Sequence, residues 1–350
     1  MKHPRLQLLA GANAYAHISR DGLRAQDIDM LVGASGGPKW FSLFGLDQYL
    51  LSTFFKDRQQ PLELLGSSAG AWRFACYAQH DGAAASRRFC DAYRTLCYPA
   101  KAPTSEVTAI SKTVLDAVFP NAAHVTQVVS NTTFRLNFIV AQKKGRPLAQ
   151  SRFGQLGQIT GTAALNLLHR PWLGRFYQRV LFAQKDSNVT APADLPTERQ
   201  ALTTANLQPA LLASGSIPLV LDPVTEIAGM QPGQFIDGGL TDYHFAWPFQ
   251  TSGLVLFPHF YPHASPGWFD KSLPWRRAKA KDFQQVAMLC PTPEWVASLP
   301  FGKIPDRTDF NKLPDPVRIA YWQEVTERSF ELAEDLAQGN FLLRPFAKKN

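Results

Sequence analysis

The sequence predicts an α/β protein whose mainly parallel central sheet carries helices on both faces, followed by a partly helical C-terminal extension. Three observations lead there. Helix-like and strand-like segments alternate along most of the 350 residues, the pattern of βαβ units. The apolar runs Asp27-Ile28-Asp29-Met30-Leu31-Val32 and Leu62-Glu63-Leu64-Leu65 flank a helix-length segment opened by Pro38, and such a crossover joins parallel strands with right-handed connection. The second run ends in Gly66-Ser67-Ser68-Ala69-Gly70, a G-x-S-x-G turn ahead of the helix-like stretch Ala71 to Gln79, which puts a serine at the carboxyl end of the sheet where open α/β folds place their chemistry.

Composition sets the limits. With 45% apolar and 18% charged residues the chain can bury a large core, and we expect a catalytic domain over 1–260 with an extension over 261–350 packed against it. Cys76, Cys90, Cys97 and Cys290 form no C-x-x-C pair, so they read as reduced thiols of a cytoplasmic protein, and neither a metal nor a cofactor is expected. Met1 to Leu9 has a basic tip and a short apolar run, but Gln7 interrupts that run and argues against a secretory leader. No run is long enough to span a bilayer. The net charge of +8 is scattered rather than clustered on one motif, which excludes a nucleic-acid-binding reading and leaves an anionic membrane surface as the partner to consider.

In order, Ala10 to Arg20 reads as a helix, Asp27 to Val32 as a strand, Pro38 to Phe55 as a helix and Leu62 to Leu65 as a strand. Helices are expected over Ala84 to Leu96, Glu106 to Val118 and Thr204 to Ser214. Strands are expected over Phe134 to Ala141, Phe176 to Ala183 and Gln234 to Ile236, the last closed by Asp237-Gly238-Gly239. One final helix should run from Asp315 to Gly339 with Ile319, Trp322, Val325, Ser329, Leu332 and Leu336 on one face.

Three motifs then fall in order: Ser35-Gly36-Gly37-Pro38-Lys39 after the first strand, the Ser68 turn after the second, and Asp237-Gly238-Gly239 after a later one. Together with Ala213-Ser214-Gly215-Ser216-Ile217-Pro218 they resemble the patatin-like phospholipase family, with its G-G-x-R/K loop, G-x-S-x-G serine, A-S-x-A-x-P segment and D-G-G/A aspartate. The resemblance covers roughly residues 10 to 250. It implies a three-layer α/β fold, a Ser-Asp dyad without histidine, and hydrolysis of acyl esters, typically of lipids such as phospholipids.

The residue types fit that chemistry on their own terms. A serine hydroxyl needs a base, and the tetrahedral oxyanion needs donors already in place. Asp237 is the candidate base, an effective one only if desolvation raises its pKa. The amides of Gly36 and Gly37, with that of Ala69, are the candidate oxyanion donors, since Pro38 has none. Gly66, Gly70, Gly238 and Gly239 would permit close backbone approach. Lys39 stands where the family has its basic residue and would hold the loop or add positive potential. Gly33-Ala34-Ser35-Gly36-Gly37 is a second G-x-S-x-G, but its glycines and proline suit a loop that presents amides, so Ser35 is read as part of the oxyanion loop.

Departures and alternatives remain open at this level. Trp40 would make the loop wall bulkier, and Asp242 and His244 would either tune the base, contact substrate or bond their own loop. Ser68 with an aspartate and His259 or His263 would make an α/β-hydrolase triad; a degenerate acyl- or anion-binding protein is a third reading. Finally, Trp268, Phe269 and Trp275 interleaved with Lys271, Arg276, Arg277, Lys279 and Lys281 would suit an anionic lipid interface, or would cap the core with the cations left in water.

Overall fold

The computed structural model describes residues 3–149 and 151–346, and its organising element is a mixed sheet with helices packed against it. The first strand, β1 (Leu6–Ala10), is built from the run that resembled the apolar part of a leader; Leu6 and Leu8 are fully buried. Helix α1 (Ala12–Asp21) starts two residues later than expected, because Gly11 passes so close to Phe283 that a Cβ would lie 1.7 Å from its carbonyl oxygen. Then come β2 (Ile28–Gly33), a 3-10 turn over Gly37–Leu43, α2 (Phe44–Tyr49) and β3 (Leu62–Ser67), the expected βαβ unit. Helices α3 (Ala69–Tyr77), α4 (Gly82–Arg94) and α5 (Thr104–Val118) match the sequence reading, whereas α6 (Ala122–Ser130) was not anticipated.

The middle adds β4 (Phe134–Lys143), α7 (Arg152–Leu168), β5 (Tyr177–Ala183), β6 (Thr197–Ala201), α8 (Leu207–Gly215) and β7 (Phe235–Asp237). Beyond them lie β8 (Leu254–Pro258), β9 (Val286–Pro291), α9 (Pro293–Ser298), α10 (Asp309–Lys312), α11 (Asp315–Arg328), α12 (Phe330–Ala337) and β10 (Phe341–Pro345). Helix α7 escaped the periodicity because Gly154, Gly157 and Gly161 lower its helical propensity. The single final helix is in fact two. The chain breaks at Ser329, whose hydroxyl accepts the Gly45 amide of α2 at 2.7 Å, and the missing Cβ of Gly45 lets the two backbones touch there.

Among the described residues the sheet order is β10-β1-β9-β8-β2-β3-β4-β5-β6. The β8-β2-β3-β4 centre is parallel, while β1/β9, β4/β5 and β4/β7 are antiparallel. Both strands from the last ninety residues, β9 and β10, thus belong to the same sheet as the strands before them. β4 is the strand that positions the site. Its residues Phe134 to Ile139 pair with β3 in parallel, and Val140 to Gln142 pair with β7 in antiparallel. Since β5 occupies the opposite edge over the same stretch, β3 and β7 share one edge of β4 and meet end to end, Ser67 opposite Ile139 and Asp237 opposite Val140.

Glycine tolerance differs sharply by place. A Cβ on Gly70 would lie 2.0 Å from the Gly33 carbonyl oxygen, whereas one on Gly157 or Gly161 meets nothing within 4 Å. Gly70→Ala is therefore expected to lower stability by about 3 kcal/mol through overpacking. Gly157→Ala and Gly161→Ala in exposed α7 should each raise it by about 0.5–1 kcal/mol. Urea unfolding of the three variants checks both signs.

Candidate active site

Ser68 sits between β3 and α3 with φ 53° and ψ −124°, a conformation that costs about 1–3 kcal/mol unless the surroundings hold it. They do. Its amide donates to Ser214 Oγ at 2.9 Å, and Ser214 Oγ donates to the Ile139 carbonyl of β4 at 2.7 Å, so α8 and the sheet fix the turn from behind. On either side, a Cβ at Gly66 would come within 2.6 Å of the Gly70 and Ala71 backbone.

The end-to-end meeting of β3 and β7 brings two residues 169 positions apart into contact: Ser68 Oγ donates to Asp237 Oδ2 at 2.9 Å. Asp237 Oδ1 accepts the Gly239 amide at 2.6 Å. A side chain on Gly238 would strike the Ile139 carbonyl at 2.1 Å, so glycine is what lets the chain turn away beneath β4. Asp237 is buried, and that burial raises its pKa above the ordinary carboxylate range against the opposing hydrogen bonds from Ser68 and Gly239.

The Ser35–Lys39 loop forms the facing wall. Ser35 donates its amide to the Tyr243 carbonyl at 2.8 Å and its hydroxyl to Ser67 Oγ at 3.0 Å, which ties it to the scaffold. Gly37 has φ 55°, in the left-handed region, and Phe260 packs where a Gly36 side chain would be, at 2.6 Å. The amides of Gly36, Gly37 and Ala69 donate to no protein group among the described residues. Ser35, Gly36, Gly37, Lys39, Ser68, Asp237 and Gly239 line one cavity of about 550 Å³. An apolar recess of about 110 Å³ continues from Ser68 and Ala69 between Trp72, Phe89, Leu96, Val114, Leu212 and Phe310. Lys39 lies over the Phe260 ring, and burial lowers its pKa.

Several flanking residues have other duties. Trp40 does not wall the cavity: it is buried, stacks on Phe89 at 4.3 Å and donates its indole N–H to Asp47 at 2.6 Å. Asp242 is held by Arg179 of β5 at 2.6 and 2.8 Å and by the Trp247 indole of its own loop at 2.8 Å, so it ties that loop to the sheet. His244 accepts the Ser265 amide, and His259 Nδ1 contacts the Tyr261 carbonyl at 2.7 Å and its amide at 2.9 Å; burial pushes the pKa of both rings down, that of His259 to about 3. Neither hydrogen-bonds Ser68 or Asp237. Arg307 and Phe310, which also line the cavity, carried no sequence signal, and Lys271 was read only as part of the aromatic-basic 268–281 segment; all three reach the cavity from irregular or short segments far along the chain.

Ser68 thus stands on a strained strand-to-helix turn, facing a desolvated carboxylate at the carboxyl end of β3 in a mixed sheet. Residues 31–249, more than half of the chain, match the patatin-like phospholipase family, and the chain belongs to it; acyl-ester cleavage is the activity typical of that family. No curated protein matches the chain.

The raised pKa of Asp237 has a thermodynamic consequence. Where the folded pKa exceeds the unfolded one, stability is greatest with the group protonated in both states and falls as pH rises from the unfolded value of about 4 through the folded one. Asp237→Asn should therefore melt a few degrees above wild type at pH 7 to 8, the difference closing as pH falls toward 4. Calorimetry across that range checks it.

Proposed function

We propose that the protein is a serine acyl hydrolase of the lipase, phospholipase or esterase type, working through a Ser68–Asp237 dyad. The 2.9 Å contact between Ser68 Oγ and Asp237 Oδ2 carries the reading. Asp237 takes the hydroxyl proton as Ser68 Oγ attacks the ester carbonyl, and the amides of Gly36, Gly37 and Ala69 receive the oxyanion. The intermediate collapses to a Ser68 acyl ester as the protonated Asp237 gives its proton to the leaving alcohol. Water, activated by the same carboxylate, then releases the acid. Desolvation strengthens this base, which would be feeble in water. A triad is less well supported, because the Ser68 hydroxyl is already committed to a carboxylate, His259 is engaged by the Tyr261 backbone and His263 stacks on the Tyr261 ring. Intact Ser68 and Asp237 likewise weigh against a degenerate binding protein.

A fluorophosphonate probe should label the wild type and Ser35→Ala but not Ser68→Ala. Asp237→Asn should lose about 10³-fold or more in ester turnover, while His259→Ala and His263→Ala keep most of it. A comparable loss in either histidine variant would restore the triad.

Peripheral contact with anionic membranes belongs to the same reading. No helix among the described residues is long and apolar enough to cross a membrane. The 268–281 segment is divided: Trp268 and Phe269 pack on a small core that includes Leu173, Tyr177 and Leu240, while Trp275 is 64% exposed. Arg276 donates to the Leu167 carbonyl, joining Trp275 to the end of α7, where Leu167 and Leu168 are also exposed. This apolar edge beside Arg277, Lys279 and Lys281 supports interfacial docking of a cytoplasmic enzyme, whose four cysteines are free thiols. Co-sedimentation with vesicles should rise with anionic lipid, fall with salt, and drop when Trp275 is replaced by Ala or Lys279 and Lys281 by Gln; unchanged binding removes the docking role.

A further inference from the structure

The recess behind Ser68 contains a hydroxyl that the dyad chemistry leaves unused. Of the other polar side chains in its wall, the Trp72 indole donates to the Leu211 carbonyl at 2.8 Å, the Ser111 hydroxyl donates to the Val107 carbonyl at 2.8 Å, and the Tyr98 hydroxyl lies 3.4 Å from Ser111 Oγ. The Tyr93 hydroxyl hydrogen-bonds no protein group among the described residues. Burial raises its pKa, with Tyr98 adding to the effect and Arg307 opposing it, so the phenol keeps its proton at neutral pH and is a donor.

Its position is set by the same segment that carries the oxyanion loop. Tyr93 lies in the last turn of α4, and its ring stacks on that of Phe89, one turn earlier, at 5.8 Å and 9°. Phe89 in turn stacks on Trp40 at 4.3 Å, Trp40 is bonded to Asp47, and Phe41 packs on the Tyr93 ring at 5.6 Å. Trp40 and Phe41 directly follow Gly36-Gly37-Pro38-Lys39, so the phenol and the loop share one aromatic support that fixes each against the other. At the end of that column a Cβ on Gly37 would lie 3.0 Å from Tyr93 Oη, and no atom from outside the Gly37 turn comes closer. The hydroxyl therefore faces the Gly37 backbone, within the recess that Gly37, Ser68 and Ala69 also line. An acyl chain entering this recess strips the hydroxyl of water, which is costly unless a new acceptor replaces it.

We propose that Tyr93 is a side-chain donor of the oxyanion hole, its hydroxyl joining the amides of Gly36, Gly37 and Ala69 on the carbonyl oxygen of the ester. This rests on the Ser68–Asp237 reading and adds a catalytic residue to it. As Ser68 Oγ bonds to the carbonyl carbon, the π electron pair moves onto the carbonyl oxygen. Tyr93 donates a hydrogen bond to that oxygen and keeps its proton, so proton transfer between Ser68 and Asp237 is unaltered.

Tyr93→Phe tests the proposal, because it removes one oxygen and leaves the aromatic column in place. Loss of a single oxyanion donor lowers turnover by about 10²-fold or more in a comparable hydrolase. With the backbone amides still present, kcat for p-nitrophenyl acetate, butanoate and hexanoate should each fall by about tenfold or more, with KM within about twofold of wild type. Fluorophosphonate labelling of Ser68, in which the P=O oxygen takes the place of the oxyanion, should slow by a similar factor. Replacing Tyr93 with 3-fluorotyrosine, a more acidic donor of nearly equal size, should return kcat to the wild-type level or above. Wild-type kcat and labelling rate in Tyr93→Phe overturn the proposal. So does a loss confined to KM, or one that grows with acyl length, since the hydroxyl would then be an acyl-chain contact. A loss that 3-fluorotyrosine fails to reverse assigns Tyr93 a packing role and overturns it as well. In each of these cases wild-type turnover leaves the dyad standing, whereas failure of the probe to label Ser68 in the wild type removes the dyad itself.

Discussion

One edge of β4 carries two strands, and the site depends on that sharing. β3 runs up to Ile139 in parallel register and β7 comes down to Val140 in antiparallel register, so their ends abut and the residues leaving them are adjacent. A parallel neighbour alone would have left the far half of that edge unpaired, with backbone donors and acceptors open. Filling it with a short antiparallel strand satisfies those groups and at the same time delivers a carboxylate to the turn that leaves β3. Ser214, bonded to both the Ser68 amide and the Ile139 carbonyl, locks the junction.

Around that junction, buried charge fixes the loops. A single carboxylate, Asp47, accepts from Trp40, Arg73 at two positions, and Tyr77, all at 2.6–2.9 Å. It thereby joins the residue that follows Lys39 to the helix that follows Ser68. Arg179 and Asp242 do the same for the loop after Asp237. Buried pairs of this kind contribute little net stability against apolar replacements, but breaking one is costly, and here they determine where the two walls of the cavity stand.

Much of this was legible from local pattern. The glycines at 66 and 70, the Gly36-Gly37 loop and Asp237-Gly238-Gly239 could be placed because close backbone approach is a local demand with a distinctive residue. The βαβ unit followed from two apolar runs and one proline. The strands at 254–258, 286–291 and 341–345 were not recognised, since a short apolar run has no periodicity to separate strand from helix. β6 was missed for the opposite reason: Thr197–Ala201 is mostly exposed at the sheet edge and reads as a polar loop.

Residue roles divide along the same line. Ser68, Asp237 and the loop glycines stand out as candidates because their motifs follow predicted strands in an order that resembles one family. Trp40, Asp242 and His244 could not be assigned that way; each is explained by a partner, respectively Asp47, Arg179 and the Ser265 amide, that only packing brings near. Lys271 and Arg307 reach the cavity because a buried Asp270 network and the path of the chain before α10 place them there. Turns and strand cores are thus written in the sequence, as short-range sterics and solvation act over a few residues. Which charges meet and which stay unpaired was decided by tertiary structure, because those energies depend on groups tens to hundreds of positions apart.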